Sequence, residues 1–154
     1  GLLGIVVASA SIIGAKVSRR LLATYKPEKI IYIGCLVMTG GAILLSVITF
    51  VGSNPNVIYM SVFLVAMFIL LLGIGIALPN CLSLALVDFQ DVIGTAGALF
   101  SLGYYVIVTM TVWGMSQLHT GSLLVMPLYF LAIVVIMMVF TKVFILGKQT
   151  SKMI

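Results

Sequence analysis

The sequence predicts an all-α integral membrane protein, and three observations predict it. The chain is 63% hydrophobic and 7% charged, with a mean hydropathy of +1.36, whereas soluble domains are about half apolar and about a quarter charged. Eight Lys and Arg and three Asp and Glu serve all 154 residues, too few to cover a water-facing surface. The apolar runs are continuous rather than alternating, so spanning helices fit and barrel strands do not. Soluble, disordered and collagen-like classes are excluded. Cys35 and Cys81 lie inside apolar runs, with neither a disulfide framework nor a zinc-ligand spacing around them.

Five spans follow in order. The first covers about residues 1–17 and is short. The chain opens at Gly1 directly into it, which reads as a fragment beginning inside or beside a span, with no signal peptide before it. Pro27 falls in the connection to a second span, about 30–50. The turn cluster Gly52 to Asn56 leads to a third, about 57–87. At about 31 residues, or about 46 Å, that third span exceeds a straight crossing, so it must tilt, protrude or bend, and Pro79 is the expected bend. Asp88 and Asp91 separate it from a fourth span, about 92–115. His119 to Gly121 precede a fifth, about 122–146.

The basic residues set the orientation. Lys16, Arg19, Arg20, Lys26 and Lys29 lie around the first connection, and Lys142, Lys148 and Lys152 lie at and after the end of the fifth span. With five alternating spans, all eight fall on one side, which the positive-inside rule makes cytoplasmic together with the third connection and the C-terminal tail. The net charge of +5 is therefore a topology signal and not a nucleic-acid footprint. Tyr25 and Tyr32 near the inner ends, and Tyr59 and Trp113 near the outer ones, suit interfacial belts.

Chemistry has few places to sit. No Asp, Glu, Lys, Arg or His lies deep in a span, which argues against a self-contained proton relay. No His/Cys/Asp/Glu cluster has ligand spacing, so no metal, no cofactor and no enzyme activity is expected. The spans differ in polarity. Gly4, Ala8, Ser11 and Ala15 share one face of the first. Gly73, Ala77, Asn80 and Ser83 share one face of the third, and Gly94, Ala98, Ser101, Tyr105 and Thr109 one face of the fourth, beside Tyr104. The fifth has no such stripe, and the second is intermediate, with Thr39, Gly40 and Gly41. Two readings stay open for these stripes: close helix packing, or the wall of a polar cavity. Asn80, Ser101, Tyr104 and Tyr105 are the candidates for lining a cavity. Asp91 is expected to cap the fourth helix, or else to join Asp88 in a latch with Arg19 or Arg20.

Gly-x-Gly-Ile-Ala-Leu-Pro-Asn from Gly73 to Asn80, Val-Asp-Phe-Gln-Asp after it, and Gly-Thr-Ala-Gly-Ala-Leu-Phe-Ser-Leu-Gly from Gly94 to Gly103 resemble the major facilitator superfamily. The resemblance is to its drug:proton antiporter branch, the bicyclomycin, chloramphenicol and multidrug resistance type. On that resemblance the five spans correspond to helices 8–12 of twelve, in the C-terminal half-bundle, with the N-terminal half absent. Gly14 to Arg20 resembles a degenerate second copy of the family's basic loop, with Gly14 and Arg19 in place and Ser18 where that loop has an acid. Gly14, Arg19, Arg20, Asp88 and Asp91 would then belong to a cytoplasmic loop or gate. The first, third and fourth spans would line the cavity, with the second and fifth outside.

What the resemblance implies is part of a secondary active transporter of the bacterial inner membrane, a proton-coupled exporter of small amphipathic or drug-like compounds working by alternating access. Its partners would be the lipid bilayer, the other half of the transporter, the small-molecule substrate and protons. An importer or a metabolite or siderophore exporter of the same fold is one alternative. A non-transporting subunit that anchors a partner is another.

Overall fold

A computed structural model describes residues 2–51, 57–118 and 125–150, with side chains over 4–51, 57–118 and 125–143. The expected turn at Gly52 to Asn56, the His119 to Gly121 connection, the start of the fifth span at Ser122, the side chain of Lys148 and residues 151–154 lie outside these. Five α-helices make up the described chain: α1 (Leu2–Leu22), α2 (Pro27–Val51), α3 (Val57–Leu86), α4 (Ile93–Leu118) and α5 (Val125–Thr150). A six-residue 3-10 turn, Val87–Val92, joins α3 to α4. Among the described residues there is no strand. Pro27–Val51, the helical stretch Val57–Leu118 and Val125–Val143 are long and apolar enough to cross a membrane. The chain is an all-α integral membrane protein in contact with the bilayer.

Several boundaries differ from the sequence reading, each for a local reason. α1 continues to Leu22 because Lys16, Arg19, Arg20, Leu21 and Leu22 are good helix formers, and Arg19 and Arg20 suit its negative C-terminal end. Residues 18–22 are thus helix, not loop. The chain turns by bonds from the N–H groups of Thr24 and Tyr25 to the Leu21 carbonyl (3.0 and 2.8 Å). Pro27 then opens α2 instead of lying in the connection. Proline is suited to the first helical position, where its missing N–H has no partner to lose. α3 stays helical through Pro79, although that ring removes the donor for the Gly75 carbonyl.

Packing runs outward from α2 and α3. Residues Ile31, Gly34, Cys35, Met38, Gly41, Ala42, Leu45 and Thr49 make a buried stripe along α2. Ala66, Leu70, Gly73, Ala77 and Asn80 make the facing one on α3. The spacings of three and four keep each stripe on one side of its helix. Glycines let the backbones close. A Cβ on Gly34 would come within 2.9 Å of the Ala77 nitrogen, and one on Gly41 within 2.6 Å of the Leu70 nitrogen. α1 also packs on α3, where a Cβ on Gly14 would lie 3.0 Å from the Cα of Gly75. α5 lies along α2, with Val134 joining Met38, Ala42 and Leu70 in the core. The α4 helix is different: it has no buried residue, and among the described elements it touches only α3, the 3-10 turn and α5, sparingly.

Candidate functional site

The polar residues expected together do not all come together. Between α3 and α4 a shallow cleft of about 200 Å³ is lined by Leu78, Leu82, Phe100, Ser101, Tyr104 and Tyr105. Ser101, Tyr104 and Tyr105 are exposed there, and the two phenol rings meet edge to face with centroids 5.5 Å apart. Edge-to-face contact is a preferred arrangement of two aromatic rings. The floor is apolar and the polar groups come from α4 alone.

Asn80 points elsewhere. Leu78 and Leu82 face the cleft, and a residue two positions from each lies about 200° round the helix. The Asn80 side chain is 2% exposed and donates to Ser18 Oγ at 2.7 Å and to the Ile76 carbonyl at 2.6 Å. Those bonds satisfy both N–H groups of the amide and tie α3 to α1. Asn80 is therefore part of a helix–helix contact in this structure, and Ser18, itself 3% exposed, is the partner sequence reasoning missed. The signal was present: Ser18 follows Ala10 and Gly14 at steps of four, and these three are the buried face of α1. The expected face, Gly4, Ala8, Ser11 and Ala15, is exposed, with Ser11 bonding its own helix at the Val7 carbonyl.

The expected gate residues divide in the same way. Gly14 is buried against Gly75. Arg19, Arg20, Asp88 and Asp91 are all exposed, and among the described residues no ion pair joins these arginines to either aspartate. Asp91 does not open α4 as a cap. It lies inside the 3-10 turn, which runs on into Ile93 in helical conformation, so the turn's own i→i+3 bonds lead into the helix. One tie between α4 and α5 went unforeseen: the Tyr129 hydroxyl donates to the Thr111 carbonyl at 2.8 Å, seated over Gly114, where a Cβ would come 2.9 Å from that hydroxyl.

Several other hydroxyls inside the helices are satisfied locally. Thr39, Ser46, Thr49, Thr109, Thr111 and Thr141 each donate to the carbonyl four residues back. Among the described residues no three His, Cys, Asp or Glu side chains gather in a way that could hold a metal ion.

Over 90 residues the chain is 30% identical to an uncharacterized transporter of Rickettsia felis, a stretch covering 58% of this chain and 21% of that protein. Over 101 residues, 66% of this chain, it is 33% identical to an uncharacterized transporter of Rickettsia bellii, of which the stretch covers 24%. An uncharacterized protein of Rickettsia conorii is 31% identical over 85 residues, 55% of this chain and 66% of that one. The chain thus spans about a fifth to a quarter of the length of the two proteins named as transporters. No family model matches it, and no solved structure does.

Proposed function

We propose that this chain is part of a secondary active transporter of the major facilitator type, a proton-coupled exporter of small amphipathic compounds, and not an enzyme. The observation that carries the reading is the α3–α4 cleft. It sets a hydroxyl and two phenols, Ser101, Tyr104 and Tyr105, over an apolar floor of Leu78, Leu82 and Phe100. An amphipathic molecule needs both parts of that surface, apolar area for its body and a few fixed polar groups to orient it. The names of the two Rickettsia relatives support transport as the activity.

The cleft is one wall. Its volume of about 200 Å³ is below the roughly 300–1,000 Å³ usual for a drug-sized ligand, and α4 has no buried face. The reading therefore requires further spans to close the site and to supply the proton-carrying carboxylate, in keeping with relatives several times longer than the matched stretch. It also places the α1–α2 connection, the 3-10 turn and the C-terminal tail in the cytoplasm of a bacterial inner membrane, by the distribution of Lys and Arg.

The test is efflux driven by a proton gradient in vesicles carrying the full-length protein. Tyr105→Leu and Ser101→Ala are expected to lower uncoupler-sensitive efflux, Tyr105→Leu by about tenfold if one oriented contact is lost, with insertion unchanged. Tyr104→Leu and Tyr105→Leu proteins that both export every compound tried at the original rate would overturn the assignment. The chain without further spans is expected to insert and to transport nothing. Sidedness is checked by cysteines at Thr24, exposed in the α1–α2 connection where Ser18 is buried, and at Gln90 and Gln149, in a background lacking Cys35 and Cys81. All three should resist an impermeant thiol reagent in intact cells, and labelling of Gln90→Cys from outside would reverse the topology.

A further inference from the structure

Pro79 divides α3 into two parts that are held in different ways. Before it, Leu70 packs on Gly41, Gly73 on Met38, Gly75 on Gly14 and Ala77 on Gly34, so closely that a Cβ added to any of those glycines except Gly75 would press on backbone atoms. After it, among the described residues of α3, Asn80 is the one buried residue. Leu82, Ser83 and Ala85 are exposed, and Cys81, Leu84 and Leu86 are half-buried. Open space adjoins this end on two faces. Leu82 borders the α3–α4 cleft, and Cys81, Leu84 and Ala85 border a second cleft of about 540 Å³ shared with α2 and α5.

A helix bends at a proline because the ring removes one hydrogen bond and pushes against the carbonyl four residues back. Here that carbonyl belongs to Gly75, inside the clamped part. The turn joining the two parts therefore lacks a bond that the rest of the helix has, and the part beyond it has room to move. One side-chain contact opposes the movement. Asn80 donates to Ser18 Oγ at 2.7 Å, across to α1. Its other bond, to the Ile76 carbonyl at 2.6 Å, stays within α3.

We propose that Pro79 is a hinge and the Asn80–Ser18 bond its latch. With the bond made, the end of α3 stands against α1 as in this structure. With it broken, residues 81–86 swing about the Gly75–Pro79 turn and carry the 3-10 turn and the start of α4 with them. Both clefts change shape, and the clamped part stays in place. A single interhelical hydrogen bond suits a latch, since it is strong enough to favour one position and weak enough to be reversed. The device is independent of the transport reading, because it needs neither substrate nor proton.

The experiment is pulsed electron paramagnetic resonance on the full-length protein in lipid nanodiscs, in a background lacking Cys35 and Cys81. Spin-labelled cysteines at Ser11 and Ser83, both exposed, report across the hinge, and a pair at Ser11 and Ser61 reports on the part before it. The unaltered protein should give one dominant Ser11–Ser83 distance. Asn80→Ala and Ser18→Ala break the bond from either side. Each should raise the share of a second distance about threefold to tenfold, as expected for loss of one interhelical hydrogen bond. Ser18→Thr, which keeps the hydroxyl, should match the unaltered protein. Adding Pro79→Ala to either broken form restores the donor to the Gly75 carbonyl and should return a single narrow distance. The Ser11–Ser61 distance should stay constant throughout. An unchanged Ser11–Ser83 distribution in Ser18→Ala would overturn the latch, and a second distance that survives Pro79→Ala would overturn the hinge. Equal broadening of both pairs would mean that α1 loosens from α3 as a whole, and the proposal would fall. If Asn80→Ala does not fold, Ser18→Ala with and without Pro79→Ala decides the same question.

Discussion

The α3 and α4 helices follow one another in the chain, and both carry glycines, small residues and a few polar groups in apolar sequence, yet they live in opposite surroundings. On α3, Gly73 meets Met38 and the Gly34 carbonyl so closely that an added Cβ would lie 2.7 Å from the Met38 nitrogen. On α4, Gly94, Gly97 and Gly103 have no atom within 4 Å of where a Cβ would be. A small-residue stripe therefore records that a backbone can approach. It does not record which backbone, or whether the rest of this chain supplies it. The same holds for polar groups: Asn80 on α3 finds Ser18 across a helix boundary, whereas Thr109 and Thr111 on α4 turn back to their own carbonyls.

The contrast can be broken most forcefully at Gly41. Its Cβ would fall 2.6 Å from the Leu70 nitrogen, a backbone atom that cannot swing aside. Gly41→Ala should cost about 2–3 kcal/mol as the two helices are forced apart, read as a lower midpoint in denaturant titration of the protein in mixed micelles. A loss no larger than that from Gly97→Ala would mean that the α2–α3 contact is looser than described.

Next in size is the bond between Asn80 and Ser18. Interhelical hydrogen bonds in membranes average about 0.6 kcal/mol and reach about 1.7. A cycle of Asn80→Leu, Ser18→Ala and the double change should show coupling in the upper part of that range, because both partners are buried. Coupling near zero would return Asn80 to the list of cavity candidates.

Smaller still is Tyr129→Phe. Removing one exposed-side hydroxyl bond to the Thr111 carbonyl should cost about 0.5–1 kcal/mol, with the change confined to α4. Faster hydrogen exchange over Ile93–Leu118 with α2 and α3 unaffected is the expected result. Uniform acceleration would show α4 to be more firmly held than its contacts indicate. Gly97→Ala sits at the bottom of the scale, within about 0.5 kcal/mol in this chain, as for a substitution that meets nothing. If the full-length protein loses stability from the same change, a further helix covers that face.

The five helices, their order and their apolar character were legible in the sequence because the apolar runs are long and continuous and the turn residues mark their ends. What sequence could not assign was the facing of each helix. In water an apolar stripe announces the inside, but in lipid both sides are apolar, and only small residues and rare polar ones distinguish them. α1 shows the consequence. Two faces qualify by spacing, Gly4–Ala8–Ser11–Ala15 and Ala10–Gly14–Ser18, and only the second lies against α3. α2 shows it again. Its polarity is intermediate and the family resemblance puts it outside, but Gly34 and Gly41, seven residues apart, place it at the centre of the packed helices. For the candidate site, Ser101, Tyr104 and Tyr105 were recoverable as large or polar groups on one helix. Asn80 was misdirected because a buried amide signals a needed partner without saying whether that partner is a ligand or a neighbouring helix.

The inward-turned hydroxyls bear on how the protein is made. A helix whose serines and threonines already bond their own carbonyls presents few unmet polar groups to lipid, so it can leave the insertion machinery before its neighbours exist. The second bond of Asn80, to the Ile76 carbonyl of its own helix, extends that property to the most polar side chain of α3. α2, whose Thr39, Ser46 and Thr49 all turn back in this way, can thus enter the bilayer singly, and the bond from Asn80 to Ser18 is left for lateral assembly.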